Sequence, residues 1–208
     1  MGNYLFDARL LVEAVTQDAS RDTEHDFGRS ILPALVSHHR VFAYDFHTNR
    51  IPGTKPYEEP GYWRDVGTLE SYWRAHMDLL GPQPRFDLSN HLWPIKGAPY
   101  AGPSARIVFG EVQDSLLGEG SVIHGGRVLR SVLGREVRVE EDVEVEESVV
   151  MDYCVLRPGV RLRRVIVDRF NTLEPGTAIG FDPEEDSRRY HVDPSGLVVL
   201  GRGATRAL

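Results

Sequence analysis

The stretch "SVLGREVRVEEDVEVEESVVMDYCVL", residues 131–156, carries an aliphatic side chain at every sixth position. Val137, Val143, Val149 and Val155 form one series, and a second series is offset from it: Leu133, Val139, Val145 and Met151. A six-residue period is typical of a parallel β-helix, in which each hexapeptide forms one side of a triangular coil. An antiparallel sheet would show period two throughout. The pattern therefore predicts three to four coils of about 18 residues, with all four valines of the first series buried inside the stack.

Residues 81–105 contain five prolines and read as an extended linker. This linker predicts three parts: residues 1–80, the linker itself, and residues 106–208, a β-helix with a C-terminal tail. Residues 1–80 read as mixed α/β. Short strands are predicted near residues 3–6 and 41–46, one helix follows the first strand, and a second helix begins after Thr68, whose hydroxyl suits an N-cap.

The overall composition excludes several classes of protein. Lys and Arg total 24 against 31 Asp and Glu, a net charge of −7, which disfavours a nucleic-acid binder. The single cysteine, Cys154, excludes an internal disulfide and fits a reducing compartment. No apolar run reaches the roughly 18 residues of a membrane span, and no signal peptide is evident. We therefore expect a soluble, cytoplasmic protein that binds neither nucleic acid nor membranes.

Five short motifs connect the chain to a known family: "HDFG" at 25–28, "YWRDVGTLESYW" at 62–73, "WPI" at 93–95, "VIVDR" at 165–169 and "EEDSRR" at 184–189. Together they resemble the C-terminal half of glucose-1-phosphate adenylyltransferase, a bacterial sugar nucleotidyltransferase. The resemblance implies the C-terminal part of a Rossmann-like catalytic domain, followed by a left-handed parallel β-helix. It also implies a role in glycogen biosynthesis, with ATP and glucose 1-phosphate as substrates, and assembly as a homotetramer.

The N-terminal half of that family supplies a glycine-rich phosphate loop, a first metal-binding aspartate and a Glu-Lys pair for the sugar phosphate. This sequence has no such loop after a strand and no Glu-Lys-Pro segment, so no catalytic site is complete in it. The resemblance implies that Asp65 is the second of two aspartates that hold the catalytic Mg²⁺, an ion that prefers carboxylate and phosphate oxygens. A structural role is the alternative for Asp65, through capping of its own helix or pairing with Arg64.

Three arginines match basic residues that bind a phosphorylated sugar activator in the family: Arg169, Arg202 and Arg206. Guanidinium groups suit bidentate phosphate contacts, although solvated surface arginines remain the alternative. Two other functions stay open. One is a non-catalytic regulatory or assembly module of the same family, which the missing loop favours. The other is a hexapeptide acyltransferase, for which His124 is the only histidine within the repeats.

Overall fold

A computed structural model describes residues 2–97 and 100–204 of the chain. The chain divides between Asn49 and Arg50 into two units. Within the described residues, no helix is long and apolar enough to cross a membrane.

The first unit is built from short helices. Helix α1 spans Ala8–Ala19, a π-helical turn spans Phe27–Ile31, α2 spans Leu32–Val36, and a 3₁₀ turn spans Phe46–Thr48. Asp7 and Asp26 cap the first two of these by accepting backbone N–H bonds, as short polar side chains do at helix starts. Its small core is made by six side chains: Phe6, Leu10, Ala14, Phe27, Ile31 and Leu35.

The two strands predicted near residues 3–6 and 41–46 are not formed in the described part of the chain. Residues 41–45 have no regular structure, and Phe42 and Tyr44 are exposed. The prediction was wrong because an alternating pattern shows only that a segment can form a strand. Backbone pairing with a neighbour makes it one, and residues 2–97 contain no strand that could pair with it.

The second unit contains helix α3, Leu69–Met77, and the β-helix. Strands β1 to β7 span Arg106–Gln113, Leu116–Leu117, Val122–Leu129, Val132–Leu133, Arg138–Val139, Glu144–Glu146 and Val149–Val150. Strands β8 to β12 span Val155–Leu156, Arg161–Arg163, Val165–Val167, Thr172–Leu173 and Ala178–Ile179; helix α4, Pro183–Arg189, and strands β13, His191–Val192, and β14, Val198–Leu200, follow. Every strand pair is parallel except the β13–β14 hairpin. The predicted parallel β-helix is therefore confirmed.

From Leu133 onward, each complete coil is one residue shorter than the six-residue period predicts, and the coil from Leu117 to Leu133 is two residues shorter. The repeat length follows from Leu133, Val150 and Val167, which stack directly on one another in successive coils. Two sides of the coil keep the six-residue spacing, and the third lacks one residue. The shortening falls at corners where Glu147 and Arg164 adopt left-handed backbone angles of φ 45° and 54°, which turn the chain tightly.

The shorter side moves the interior register by one residue after Val143. Val137 and Val143 are buried inside the coil as predicted, but Ser148 and Cys154 occupy the next interior positions of the series. Val149 is buried on the outer face and Val155 is only half-buried. The predicted interior placement of Val149 and Val155 is therefore wrong, because a strict period of six does not allow for the short side.

Helix α3 covers the outer face of strands β7 and β10. Its apolar side packs on three buried side chains of the β-helix, Val149, Ile166 and Leu197. The indole Nε1 of Trp73 donates a 2.7 Å hydrogen bond to the carbonyl of Glu147. Helix α3 and the β-helix are therefore packed into one unit. The boundaries predicted from the proline-rich linker, at residues 80 and 105, remain predictions.

Candidate functional site

Asp65 lies on the exposed loop that leads into helix α3. Its Oδ1 accepts a 3.1 Å hydrogen bond from the backbone N–H of Gly67, which closes a local turn. Thr68, not Asp65, caps the helix, because its hydroxyl accepts from the N–H of Ser71 while the Ser71 hydroxyl accepts from the N–H of Thr68. The N-cap predicted at Thr68 is thus confirmed, and the turn uses Oδ1 of Asp65 rather than Oδ2.

Arg64 is held by two other carboxylates. Its Nη2 lies 2.6 Å from Oε2 of Glu59, and its Nε lies 2.7 Å from Oδ2 of Asp78. The hydrogen bond from Arg64 lowers the pKa of the Glu59 carboxyl. Arg64 therefore connects the loop to the C-terminal end of helix α3. The alternative role for Asp65, an ion pair with Arg64, is not observed.

The described residues around Asp65 do not form a complete metal site. They include no group of three or more His, Cys, Asp or Glu side chains that could hold a metal ion. Mg²⁺ is often bound by one or two carboxylates plus substrate phosphates and water. The carboxylate of Asp65 fits one protein ligand of such a site.

Arg169 lies at a corner of the β-helix, one coil above Asp152. Its Nε is 3.8 Å from Oδ2 of Asp152. Burial raises the pKa of the Tyr72 phenol on helix α3, and the nearby Arg169 guanidinium partly opposes that shift. The guanidinium group of Arg169 is therefore paired with Asp152 and close enough to Tyr72 to affect its pKa.

Arg202 lies on the segment next to Arg169. The backbone N–H of Gly203 donates a 3.0 Å hydrogen bond to the carbonyl of Arg169, so the two arginines are carried by adjacent backbone segments. The Arg202 guanidinium lies 5.0 Å from the ring centre of Phe170, which itself stacks on Tyr153. The third predicted arginine, Arg206, lies outside the described residues.

A crevice of about 360 Å³ separates the start of helix α3 from the β-helix. On one side it is lined by Val66, Gly67 and Thr68, which directly follow Asp65. Asp168 and Gly201 line the other side, and each is followed directly by one of the two arginines. The loop of the predicted metal ligand and the segments of the predicted activator ligands therefore border the same space.

Asp152 and Tyr72 adjoin this region, and sequence reasoning did not single them out. Asp152 precedes Arg169 by one full coil, so the correct coil length would have revealed the pair. Tyr72 sits one helical turn after the Thr68 cap, on the part of helix α3 that follows the loop. In the sequence, each of these residues is ordinary in its own element, and only the packing of helix α3 on the β-helix brings both of them beside the crevice.

His124 shows no catalytic arrangement in the described residues. Its ring packs against the edge of Phe109, with ring centres 4.6 Å apart, and its Nδ1 is 3.9 Å from Oε1 of Glu141. An aromatic contact and a long ion pair are ordinary surface interactions.

Comparison with known proteins assigns both parts of the chain. A nucleotidyl transferase family model matches residues 1–81, and a model of the GlmU-like C-terminal hexapeptide matches residues 103–200. The glucose-1-phosphate adenylyltransferase of Thermodesulfovibrio yellowstonii is 44% identical over 205 residues, which cover 98% of this chain and 50% of that protein. This chain is a homologue of the glucose-1-phosphate adenylyltransferases. The enzymes of that name from Aliivibrio fischeri and Anaeromyxobacter sp. are 43% and 41% identical, over 98% and 96% of this chain.

The chain spans about half the length of these adenylyltransferases, 50% or 51% of each. The predicted resemblance is thereby confirmed, and so is the order of a nucleotidyl transferase segment followed by a hexapeptide β-helix.

Proposed function

We propose that this chain is the part of a glucose-1-phosphate adenylyltransferase that contributes one metal-binding carboxylate and an anion-binding regulatory site. The observation that carries the proposal is the homology over 98% of the chain to enzymes of that name. The shared crevice between the Asp65 loop and the arginine segments supports it, because one space then adjoins both groups.

In the proposed reaction, a phosphate oxygen of glucose 1-phosphate attacks the α-phosphorus of ATP. The bond from that phosphorus to the bridging oxygen breaks, ADP-glucose forms and pyrophosphate leaves. Bound Mg²⁺ supplies positive charge that offsets the charge on the reacting phosphates. Asp65 would provide one oxygen ligand for that ion, and the Gly67 hydrogen bond holds its carboxylate in one orientation.

The regulatory part of the proposal concerns Arg169, Arg202 and Arg206. A phosphorylated sugar bound by the guanidinium groups would lie beside the crevice and favour one arrangement of helix α3 against the β-helix. Such an activator acts only if it binds one arrangement more tightly than the other. Assembly as a homotetramer is part of the proposal, by the same resemblance.

The test uses a fused enzyme, in which the half of the Thermodesulfovibrio yellowstonii relative that this chain does not match precedes residue 1. We expect Asp65→Asn to lower its kcat by about 100-fold or more, because a metal ligand supports several kcal/mol of charge stabilisation. Asp87→Asn is the matched control, since Asp87 closes the same kind of turn with Ser89, and kcat should change by about threefold or less. Equal effects of the two substitutions on kcat would rule out the metal role of Asp65.

The second candidate is a regulatory or assembly module without catalysis. The arginine segments that border the crevice would suffice for such a module, which needs no catalytic group. If the fused enzyme binds phosphorylated sugars but forms no ADP-glucose, the result would favour the non-catalytic module over the adenylyltransferase.

A further inference from the structure

A second cavity lies between the C-terminal end of helix α4 and strand β14. Its volume is about 500 Å³, within the roughly 300–1,000 Å³ of small-molecule sites. Arg188, Arg189 and His191 line one side, and the end of β14 up to Gly201 lines the other. Gly201 also lines the first crevice, but Arg188, Arg189 and His191 have no part in the proposed metal or activator site.

Two arginines and one histidine line this cavity, and the acidic groups near them include Glu185 and, beside His191, Asp193. Glu185 is the one carboxylate paired with Arg188 and Arg189 in the described part of the chain, and it lies 3.8 Å from each. That separation is too long for a hydrogen bond, and within the described residues neither guanidinium donates one to another side chain. Their side chains are 71% and 55% exposed, so their N–H groups are open to a ligand.

Helix α4 is fixed to the β-helix, so the positions of these cations are defined by the fold. Asp186 is buried, and its Oδ2 accepts a 2.9 Å hydrogen bond from the backbone N–H of Gly180. His191 pairs with Val199 in the β13–β14 hairpin, which places it against the strand that forms the opposite wall. Arginines at a helix C-terminus are often no more than a favourable dipole arrangement. Here a third basic residue from outside the helix joins them around a cavity.

We propose that this cavity binds the phosphate group of a small phosphate monoester. Two guanidinium groups present forked N–H donors that match phosphate oxygens, and the His191 imidazole adds a further ring nitrogen. The cavity extends beyond the basic cluster along Val199 and Gly201, which leaves space for the organic part of an ester. Neither Arg169 nor Arg202 lines this cavity, and the proposal stands whether or not the chain proves to be part of an adenylyltransferase.

The test is a titration of the full chain with glycerol 3-phosphate and, separately, with inorganic phosphate, followed by calorimetry and by amide NMR shifts. We expect saturable binding with shifts at Tyr190, His191 and Gly201. Arg188→Gln/Arg189→Gln should weaken binding by about 10-fold or more, since charge-assisted hydrogen bonds are lost. If glycerol 3-phosphate binds more tightly than inorganic phosphate, the ligand is a phosphate monoester. If the two bind equally, the cavity recognises the phosphate group alone.

Arg169→Ala/Arg202→Ala is the control variant, and it should keep these shifts and this affinity. The proposal is overturned if neither probe binds, if the Arg188/Arg189 variant binds as the unmodified chain does, or if the shifts lie only around Arg169 and Phe170. Should the double variant fail to fold by circular dichroism, His191→Gln and the two single substitutions replace it under the same criteria. Failure of the proposed adenylyltransferase would show in the fused enzyme and leave these titrations unchanged.

Discussion

Cys154 occupies an interior position of the β-helix, stacked between coils. Its side chain is buried, and its Sγ lies 3.1 Å from the carbonyl oxygen of Asp168, to which the thiol donates. Burial raises the pKa of the thiol from 9.0 to about 11. Cys154 falls within the repeats, and the structure shows it as a free, buried cysteine.

The raised pKa of Cys154 predicts a loss of stability in alkali. The unfolded thiol releases its proton near pH 9 and the folded thiol only near pH 11, so this contribution is complete below pH 9 and is lost as pH rises towards 11. We expect the free energy of unfolding to fall by roughly 1–3 kcal/mol more in the unmodified chain than in Cys154→Ala over that window. Urea unfolding at pH 8.5 and pH 10.5 measures the difference, and parallel losses in both proteins would contradict it.

Arg169 has a close structural match in Arg163, which makes a controlled test possible. Their side chains are 54% and 55% exposed, and each faces a carboxylate one coil earlier, at 3.8 and 3.9 Å. In the fused enzyme, Arg169→Ala should raise the activator concentration for half-activation by about 10-fold, because a charged phosphate contact is lost. Arg163→Ala should change it by about twofold or less.

The measurement is the rate of ADP-glucose formation against the concentration of a phosphorylated sugar, for the unmodified fused enzyme and the two variants. If Arg169→Ala and Arg163→Ala raise the activator concentration for half-activation equally, both arginines form only surface ion pairs between coils, and neither belongs to the regulatory site.

At the scale of the elements, the six-residue pattern predicted the β-helix but not its coil length. The aliphatic series indicated the interior as far as Val143. The short side was hidden because left-handed corners are occupied by Glu147 and Arg164, residues that carry no strong turn signal. Gly159 and Gly176, which lie one coil apart and are both left-handed, did carry that signal. The glycine spacing therefore reports coil length better than the aliphatic spacing.

Helix α3 depends on Trp73 for its attachment to the β-helix. The indole packs against the outer face of β7 and β10, donates to Glu147 and lies under the Arg164 guanidinium at 4.6 Å. Trp73→Ala should lower the free energy of unfolding by roughly 2–4 kcal/mol, because packing, a hydrogen bond and a cation–π contact are lost together. Trp93→Ala, at an exposed tryptophan, should cost about 1 kcal/mol or less. Urea unfolding compares the two, and similar losses would show that Trp73 does not hold the helix.

At the scale of the whole molecule, the sequence predicted which kinds of segment the chain contains better than how helix α3 packs on the β-helix. The motif around Asp65 and the repeats identified a nucleotidyl transferase segment and a β-helix. The side chains that line the crevice between helix α3 and the β-helix could not be predicted from residue patterns, because the crevice depends on Trp73 meeting a corner 74 residues further along the chain. The pairing of Asp152 with Arg169 was hidden for a related reason, since it depends on the coil length.

We propose that this chain supplies one part of an adenylyltransferase site, which further groups complete. The most direct test measures pyrophosphate release from ATP, glucose 1-phosphate and Mg²⁺ with the chain alone and with the fused enzyme. We expect the chain alone to give no rate above background, because one carboxylate and no phosphate loop do not assemble the site, and the fused enzyme to turn over. Turnover by the chain alone at ordinary enzymatic rates, or no turnover by a folded fused enzyme, would contradict the account.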